Sequence, residues 1–148
     1  MADTKKTAAD SAYGVRCIIV TPESTILDTR AKFVSLPLFD GQRGVARGHA
    51  PFIGRLGSGE VRIVGEQGSA ADAVRRYFAE GGFVEVGHDA VTIITQRAIA
   101  GEKLNPAEAK AALEKLRDAT ATGDEAIAAR MKAEETARAL VRAAERRG

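Results

Sequence analysis

The sequence of 148 residues has no tryptophan, one cysteine, two tyrosines and five phenylalanines. A lone Cys17 rules out an intramolecular disulfide and a multi-cysteine metal site. It stands in the apolar run Cys17-Ile18-Ile19-Val20, where a buried, inert thiol is expected rather than a nucleophile. The scattered aromatics form no stacking platform, and a formal net charge of +2 is too small for a phosphate-binding footprint, so no nucleic-acid partner is expected. No apolar run reaches the ~18 residues of a membrane span. A membrane role would therefore come only through a partner. The leading residues MADTKKTAADSAYG lack the apolar centre of a signal peptide. They also carry Asp3 and Asp10, which argue against a transit peptide. Residues 1–14 are expected to be a flexible extension.

Histidine is scarcer still: only His49 and His88 occur. No GxSxG, HExxH or cysteine partner accompanies them, so no catalytic residue, metal or cofactor is expected. A small hydrolase using His49 is the enzyme alternative, and it lacks a nucleophile. His49 lies in Gly48-His49-Ala50-Pro51, a turn in which an imidazole fixes loop geometry. His88, after Gly87, is expected to be exposed in a tight turn. The spacing of Gly41, Gly44, Gly57 and Gly59 invites comparison with a phosphate loop, but GK[ST] is missing and no helix follows. Turn chemistry fits better, with Asp40-Gly41 as a hairpin signal.

What the chain does have divides near residue 103. Before it, valine, isoleucine and phenylalanine fall in short runs between glycines and prolines. After it, alanine, glutamate, arginine and lysine dominate. This predicts an α+β chain: a β domain over 15–102 and a helical hairpin over 103–148. Strands are expected at Val15–Val20, Ala31–Leu36, Phe52–Leu56, Glu60–Val64, Val74–Ala79, Phe83–Val86 and Val91–Thr95, with shorter pieces at Thr25–Leu27 and Val45–Ala46. Breaks are expected at Gly57-Ser58-Gly59 and Gly81-Gly82, among others. Short strands at close spacing point to an antiparallel sandwich or barrel. The spacing leaves no room for the crossover helices of a parallel sheet.

The hairpin opens on Leu104-Asn105-Pro106-Ala107-Glu108. Asn105 caps the first helix, Pro106 suits its first position and Glu108 can complete a capping box. Ala109, Ala112, Leu113 and Leu116 form its apolar stripe, and it stops near Ala119–Gly123. A second helix, capped by Thr122 or Asp124, runs to about Arg146 with Ile127, Met131, Ala137, Leu140, Val141 and Ala144 as its apolar positions. A seam this rich in alanine buries little area. A marginally docked hairpin and a permanently packed cap both fit. On the last helix Arg130, Arg138, Arg142 and Arg146 share an i, i+4 row, with Glu134 between and Lys132 and Arg147 nearby. A solvated face with intrahelical ion pairs is the plain account. An arginine edge that grips an acidic partner surface is the functional one.

Several stretches together resemble the ε subunit family of F-type ATP synthases, called δ in mitochondria. They are Ile18-Ile19-Val20-Thr21-Pro22-Glu23, Asp40 through Phe52 (DGQRGVARGHAPF), Leu56-x-x-Gly59-x-Val61-Arg62-Ile63, Gly81-Gly82-Phe83-Val84-Glu85-Val86, and Val91-Thr92-Ile93-Ile94 with Ala98. The resemblance covers about residues 15–146. It implies a non-catalytic rotor subunit of the central stalk that binds the γ subunit and the c-ring loops and helps couple ion-driven rotation to ATP synthesis. It also implies a hairpin that can extend toward the α/β catalytic subunits and hinder ATP hydrolysis, through Arg138, Arg142 and Arg146. The family's place is on the cytoplasmic face of the bacterial inner membrane, as part of F1.

By the same resemblance Asp40, Gln42, Arg43 and His49 belong to the γ and c-ring docking region. Gln42 stands at a site often acidic in the family, so charge there differs. Some bacterial members bind ATP through a pattern like (I/L)DxxRA. Here Asn105 replaces the Asp and Glu108 the Arg, and an anionic Glu108 should repel phosphate, so no nucleotide binding is expected. A freestanding adaptor whose hairpin pairs with another coiled coil is the alternative reading.

Overall fold

A computed structural model describes residues 13–146, so the extension expected over 1–14 and the terminal Arg147 lie largely outside the described residues. The strands are β1 (Val15–Val20), β2 (Thr25–Leu38), β3 (Gly41–Ala46), β4 (Phe52–Glu66), β5 (Val74–Gly87), β6 (Ala90–Ile94) and β7 (Ala98–Ala100). One 3-10 turn (Gly101–Lys103) leads into helices α1 (Pro106–Asp118) and α2 (Asp124–Glu145).

Alternation builds the barrel. Val15, Cys17 and Ile19 of β1 point inward, as do Val84 and Val86 of β5 and Val91 and Ile93 of β6. The strand path β1-β6-β5-β4-β2 closes on itself because β1 also pairs with β2. β3 extends the sheet beyond β2, and β7 pairs with β5. Closure leaves one fully covered core that includes Val34, Leu36, Val61 and Ile63. Cys17 lies in it, fully buried, and desolvation pushes its thiol pKa up to about 12, with the charges of Glu66 and Asp28 adding to the rise.

The structure revises the strand plan in three ways. Gly57-Ser58-Gly59 and Gly81-Gly82 do not end strands; they lie inside the continuous β4 and β5 and face each other, with Leu56 opposite Gly82 and Ser58 opposite Glu80. At Gly82 the backbone φ is +110° and an added Cβ would lie 2.0 Å from the Ile94 carbonyl oxygen, so only glycine fits this bend. The pieces Thr25–Leu27 and Ala31–Leu36 likewise belong to one long β2, whose start serves β1 and whose end serves β3 and β4. Finally, β1 and β6 pair in parallel, Arg16 opposite Ala90 through Val20 opposite Ile94. No crossover helix is needed, because the intervening chain circles the barrel and returns to its first strand.

The helices start and stop as their caps dictate. The Asn105 side chain accepts bonds from the N–H groups of Ala107 (2.9 Å) and Glu108 (3.4 Å), and Pro106 takes the first position. Among the described residues the return bond from the Glu108 side chain is not made. Gly123, at φ +92°, starts α2 without a side-chain cap, in place of the Thr122 or Asp124 cap expected. The two helices pack on each other, and α2 lies on β4 and β5. A second cluster sits between barrel and hairpin, built from Phe78, Leu104, Ala109, Ala139, Ala143 and Ala144, with Ile99, Leu140 and Val141 partly buried beside it. Phe78 is its one aromatic. The apolar stripe expected on the last helix holds only at its C-terminal end, for Ile127 and Met131 are exposed. The short barrel face reaches only the latter half of a 22-residue helix.

Candidate docking surface

The loop that follows β3 is held from outside. His88 and Asp89 both have positive φ (51° and 55°), the backbone of a tight turn between β5 and β6. Asp89 Oδ1 accepts a bond from Gly48 N at 2.7 Å, and the Asp89 carbonyl accepts one from Arg16 N at 2.9 Å. One turn residue thus ties the Gly48-His49 loop to β1 and β6. Sequence reasoning did not single out Asp89 for this role. A short polar side chain in an otherwise strained turn was the available signal.

The residues expected to dock partners fall into two groups. The Arg43 guanidinium lies over the Phe52 ring at 4.9 Å, and the His49 ring meets the same ring at 5.3 Å, tilted 60°. Phe52 therefore joins Arg43 and His49, and His49 Nδ1 lies 2.7 Å from the Ala50 carbonyl oxygen. Gln42 is held apart from them: its Oε1 accepts a bond from Ser35 Oγ at 3.0 Å. It borders a cleft of about 190 Å³ together with Gly41, Arg142 and Arg146. Asp40 is exposed in the turn before β3.

The arginine row is not uniform. Arg138 is tied to Glu134 at 2.6 Å within the helix, and Arg130 donates to the Ala119 carbonyl at 2.8 Å. Only Arg142 and Arg146 face the β-domain cleft. The start of the hairpin lines another cleft of about 250 Å³, with Arg97, Lys103, Asn105 and Glu108 at its rim. Arg97 is engaged by Glu80 at 3.2 Å, and the Asn105 oxygen is committed to its helix cap.

A feature that sequence reasoning missed lies on the outer face of β4, β5 and β6. Register places Arg55 opposite Phe83, and Phe83 opposite Ile94. The Arg55 guanidinium caps the Phe39 ring at 5.1 Å. Phe39 (72% exposed), Ile53 (78%), Phe83 (58%) and Ile94 (53%) thereby form one uncovered apolar strip. Large apolar side chains gathered on one sheet face mark an interaction surface. The strip was hidden because Ile53, Phe83 and Ile94 sit in what reads as ordinary strand and Phe39 stands just beyond the end of β2, and only the sheet brings them together.

Among the described residues no group of three His, Cys, Asp or Glu side chains could hold a metal ion, and no helix is long and apolar enough to cross a membrane. Fold and surface together define a docking module: a closed β barrel with an apolar outer strip and a helical hairpin laid on one side.

Comparison with known proteins gives the family. Residues 14–101 match the model for the ATP synthase delta/epsilon chain, β-sandwich domain. The ATP synthase epsilon chain of Rhodopirellula baltica is 48% identical over 95 residues, covering 64% of this chain and 70% of that one. The epsilon chain of a Synechococcus species is 35% identical over 130 residues, covering 86% and 90%. A chain in the cryo-EM structure of the Euglena gracilis mitochondrial ATP synthase (OSCP/F1/c-ring) superposes with TM-score 0.73 at 21% identity, covering 87% of this chain and 80% of that one. One in the Tetrahymena thermophila central stalk/c-ring structure superposes with TM-score 0.67 at 12% identity, covering 88% and 96%. The chain belongs to the delta/epsilon family of ATP synthases, as an epsilon chain, a non-catalytic subunit.

Proposed function

We propose that this subunit works in the central stalk, where its barrel docks the γ subunit and the c-ring loops and so helps couple ion-driven rotation to ATP synthesis. The observation that carries the reading is the uncovered strip of Phe39, Ile53, Phe83 and Ile94. An apolar strip with one guanidinium stacked on it is suited to a protein partner, and that partner is γ. The other surfaces follow from it. The β2–β3 tip with Asp40 and Gln42 meets the ring loops, and the Phe52 platform holding Arg43 and His49 shapes the adjoining edge. The Tetrahymena relative, in a central stalk/c-ring structure, supports this placement through its fold. The subunit then lies on the cytoplasmic face of a bacterial inner membrane, peripheral and held only through the complex.

The hairpin is the regulatory part of the proposal. Extended along γ, it presents Arg138, Arg142 and Arg146 to the α/β subunits and hinders hydrolysis. Two experiments test these parts separately. Phe83→Asp with Ile94→Asp, on a chain that keeps its β circular dichroism, should abolish recovery of γ and the catalytic subunits in a pull-down. Undiminished recovery refutes the docking assignment. Ending the chain after Gly101 should raise ATP hydrolysis by the assembled complex; an unchanged rate refutes the inhibitory role.

A further inference from the structure

The hairpin rests on a charged pair. Glu60, on β4, is 6% exposed, and its Oε1 lies 3.2 Å from Arg76 Nε on β5. Ala139 and Ala143 of α2 lie beside Glu60. The pair is poorly compensated: Arg76 Nε is buried and, despite that 3.2 Å approach, has no hydrogen-bond acceptor in line with its N–H. Glu60 also lines clefts on both sides of this contact. One, of about 360 Å³, is bounded by Arg75, Arg76, Glu102 and Ala143; the other, of about 190 Å³, by Ala139, Arg142 and Arg146. The helix therefore meets the barrel here along a narrow seam of methyl groups over two charges.

We propose that the Glu60–Arg76 pair is a built-in destabiliser of hairpin docking, which keeps the docked and lifted states close in free energy. Docking takes the Glu60 carboxylate and Arg76 Nε largely out of water, although the rest of the Arg76 side chain stays 38% exposed; it gives Nε no aligned acceptor, and alanine methyls return no hydrogen bond. Lifting restores water to the Glu60 carboxylate and to Arg76 Nε. The apolar contacts of Phe78, Leu104 and Leu140 and the Ser58–Thr136 hydroxyl contact at 3.1 Å pull the other way. Opposed terms of similar size make a two-state element that a partner can bias. The proposal rests on the function above only for its consequence in the complex; the pair's effect on docking is a property of the chain itself.

The two ways of removing charge act in opposite directions. Arg76→Leu strands a buried carboxylate under α2 and favours lifting. Glu60→Met with Arg76→Leu removes both charges, replaces them with apolar side chains and favours docking. Both are tested on the full chain carrying Ala144→Cys. Ala144 is 1% exposed and borders the 250 Å³ cleft, which has room for the sulfur. Cys17 sits in the barrel core and does not react while the barrel stays folded. Iodoacetamide labelling of the new thiol then follows the lifted fraction. Relative to the parent, Arg76→Leu should speed labelling on the order of tenfold, and the double variant should slow it by a similar factor.

A double variant that labels as fast as the parent, or faster, overturns the proposal. So does an Arg76→Leu chain that labels more slowly. If the double variant fails to fold, Glu60→Leu with Arg76→Met, which likewise leaves no polar group at the seam, carries the same expectation. In the assembled complex, hydrolysis should fall with Arg76→Leu and rise with the double variant. Shifted labelling with unmoved hydrolysis would uphold the pair's role and refute the inhibitory part of the proposed function.

Discussion

Phe78→Ala should detach the hairpin while leaving the barrel intact. Phe78 is 1% exposed, yet it belongs to the cluster under the helices and not to the barrel core. Its ring would face water if the hairpin lifted, so its burial counts toward docking. Fully burying a phenylalanine side chain contributes about 1.5–3 kcal/mol. The docked-to-lifted ratio should therefore fall roughly ten- to hundredfold. Helices of 13 and 22 residues, freed from their support, fray in water. Hydrogen exchange followed by mass spectrometry reads this directly. Amides of α1 and α2 should exchange faster by about that ratio, while those of β1 and β6 keep their protection. If barrel and hairpin lose protection together, they form one cooperative unit and the separation drawn between the two clusters is wrong. Unchanged hairpin protection would show that Phe78 is not its anchor.

Gly82→Ala should cost about 3 kcal/mol, read as a lowered urea midpoint, because it combines positive φ with a collision against the Ile94 carbonyl. Cys17 should resist alkylation at pH 8 until the chain is unfolded. Its folded pKa of about 12 lies above that of an unfolded thiol, about 8.5, so its contribution to stability is complete below pH ~8.5 and is lost as pH rises toward 12. A thermal midpoint that holds constant from pH 8 to 11 would contradict this. Calorimetric titration with ATP should show no micromolar binding, because the Glu108 carboxylate lining the cleft at the hairpin start repels an anionic phosphate. Micromolar heat would refute that.

The barrel was legible because its inward residues alternate, and the hairpin because Asn105-Pro106 is an unambiguous start. The strand count was not. Gly57-Ser58-Gly59 and Gly81-Gly82 read as ends, since glycine marks a turn and a mid-strand bend alike. What separates the two is the facing strand, and no local pattern reports it. The docking residues were legible as a region but not as groups. Phe52, read only as a strand residue closing the DGQRGVARGHAPF stretch, draws Arg43 and His49 together, whereas Gln42 sits across from Arg142 and Arg146. Glu60 was invisible for a similar reason. In Glu60-Val61-Arg62-Ile63 it alternates onto what reads as the solvent face, and its cover comes from Arg76 and from α2, far away in the sequence. Ile127 and Met131 misled in the opposite sense, because helical periodicity says nothing of how far the supporting surface extends.

The parallel ladder between β1 and β6 also bears on how the chain is made. During synthesis β1 and β2 can pair as soon as both emerge, since their partners are close in sequence. The second edge of β1 must wait for Ala90–Ile94. Until then a nascent chain of mostly apolar strands presents an open edge, and pairings between residues this far apart form slowly. Barrel closure is therefore a late event, set by the arrival of a five-residue strand. A stalled nascent chain that ends before residue 90 should remain protease-sensitive, and release of a few more residues should suffice to protect it.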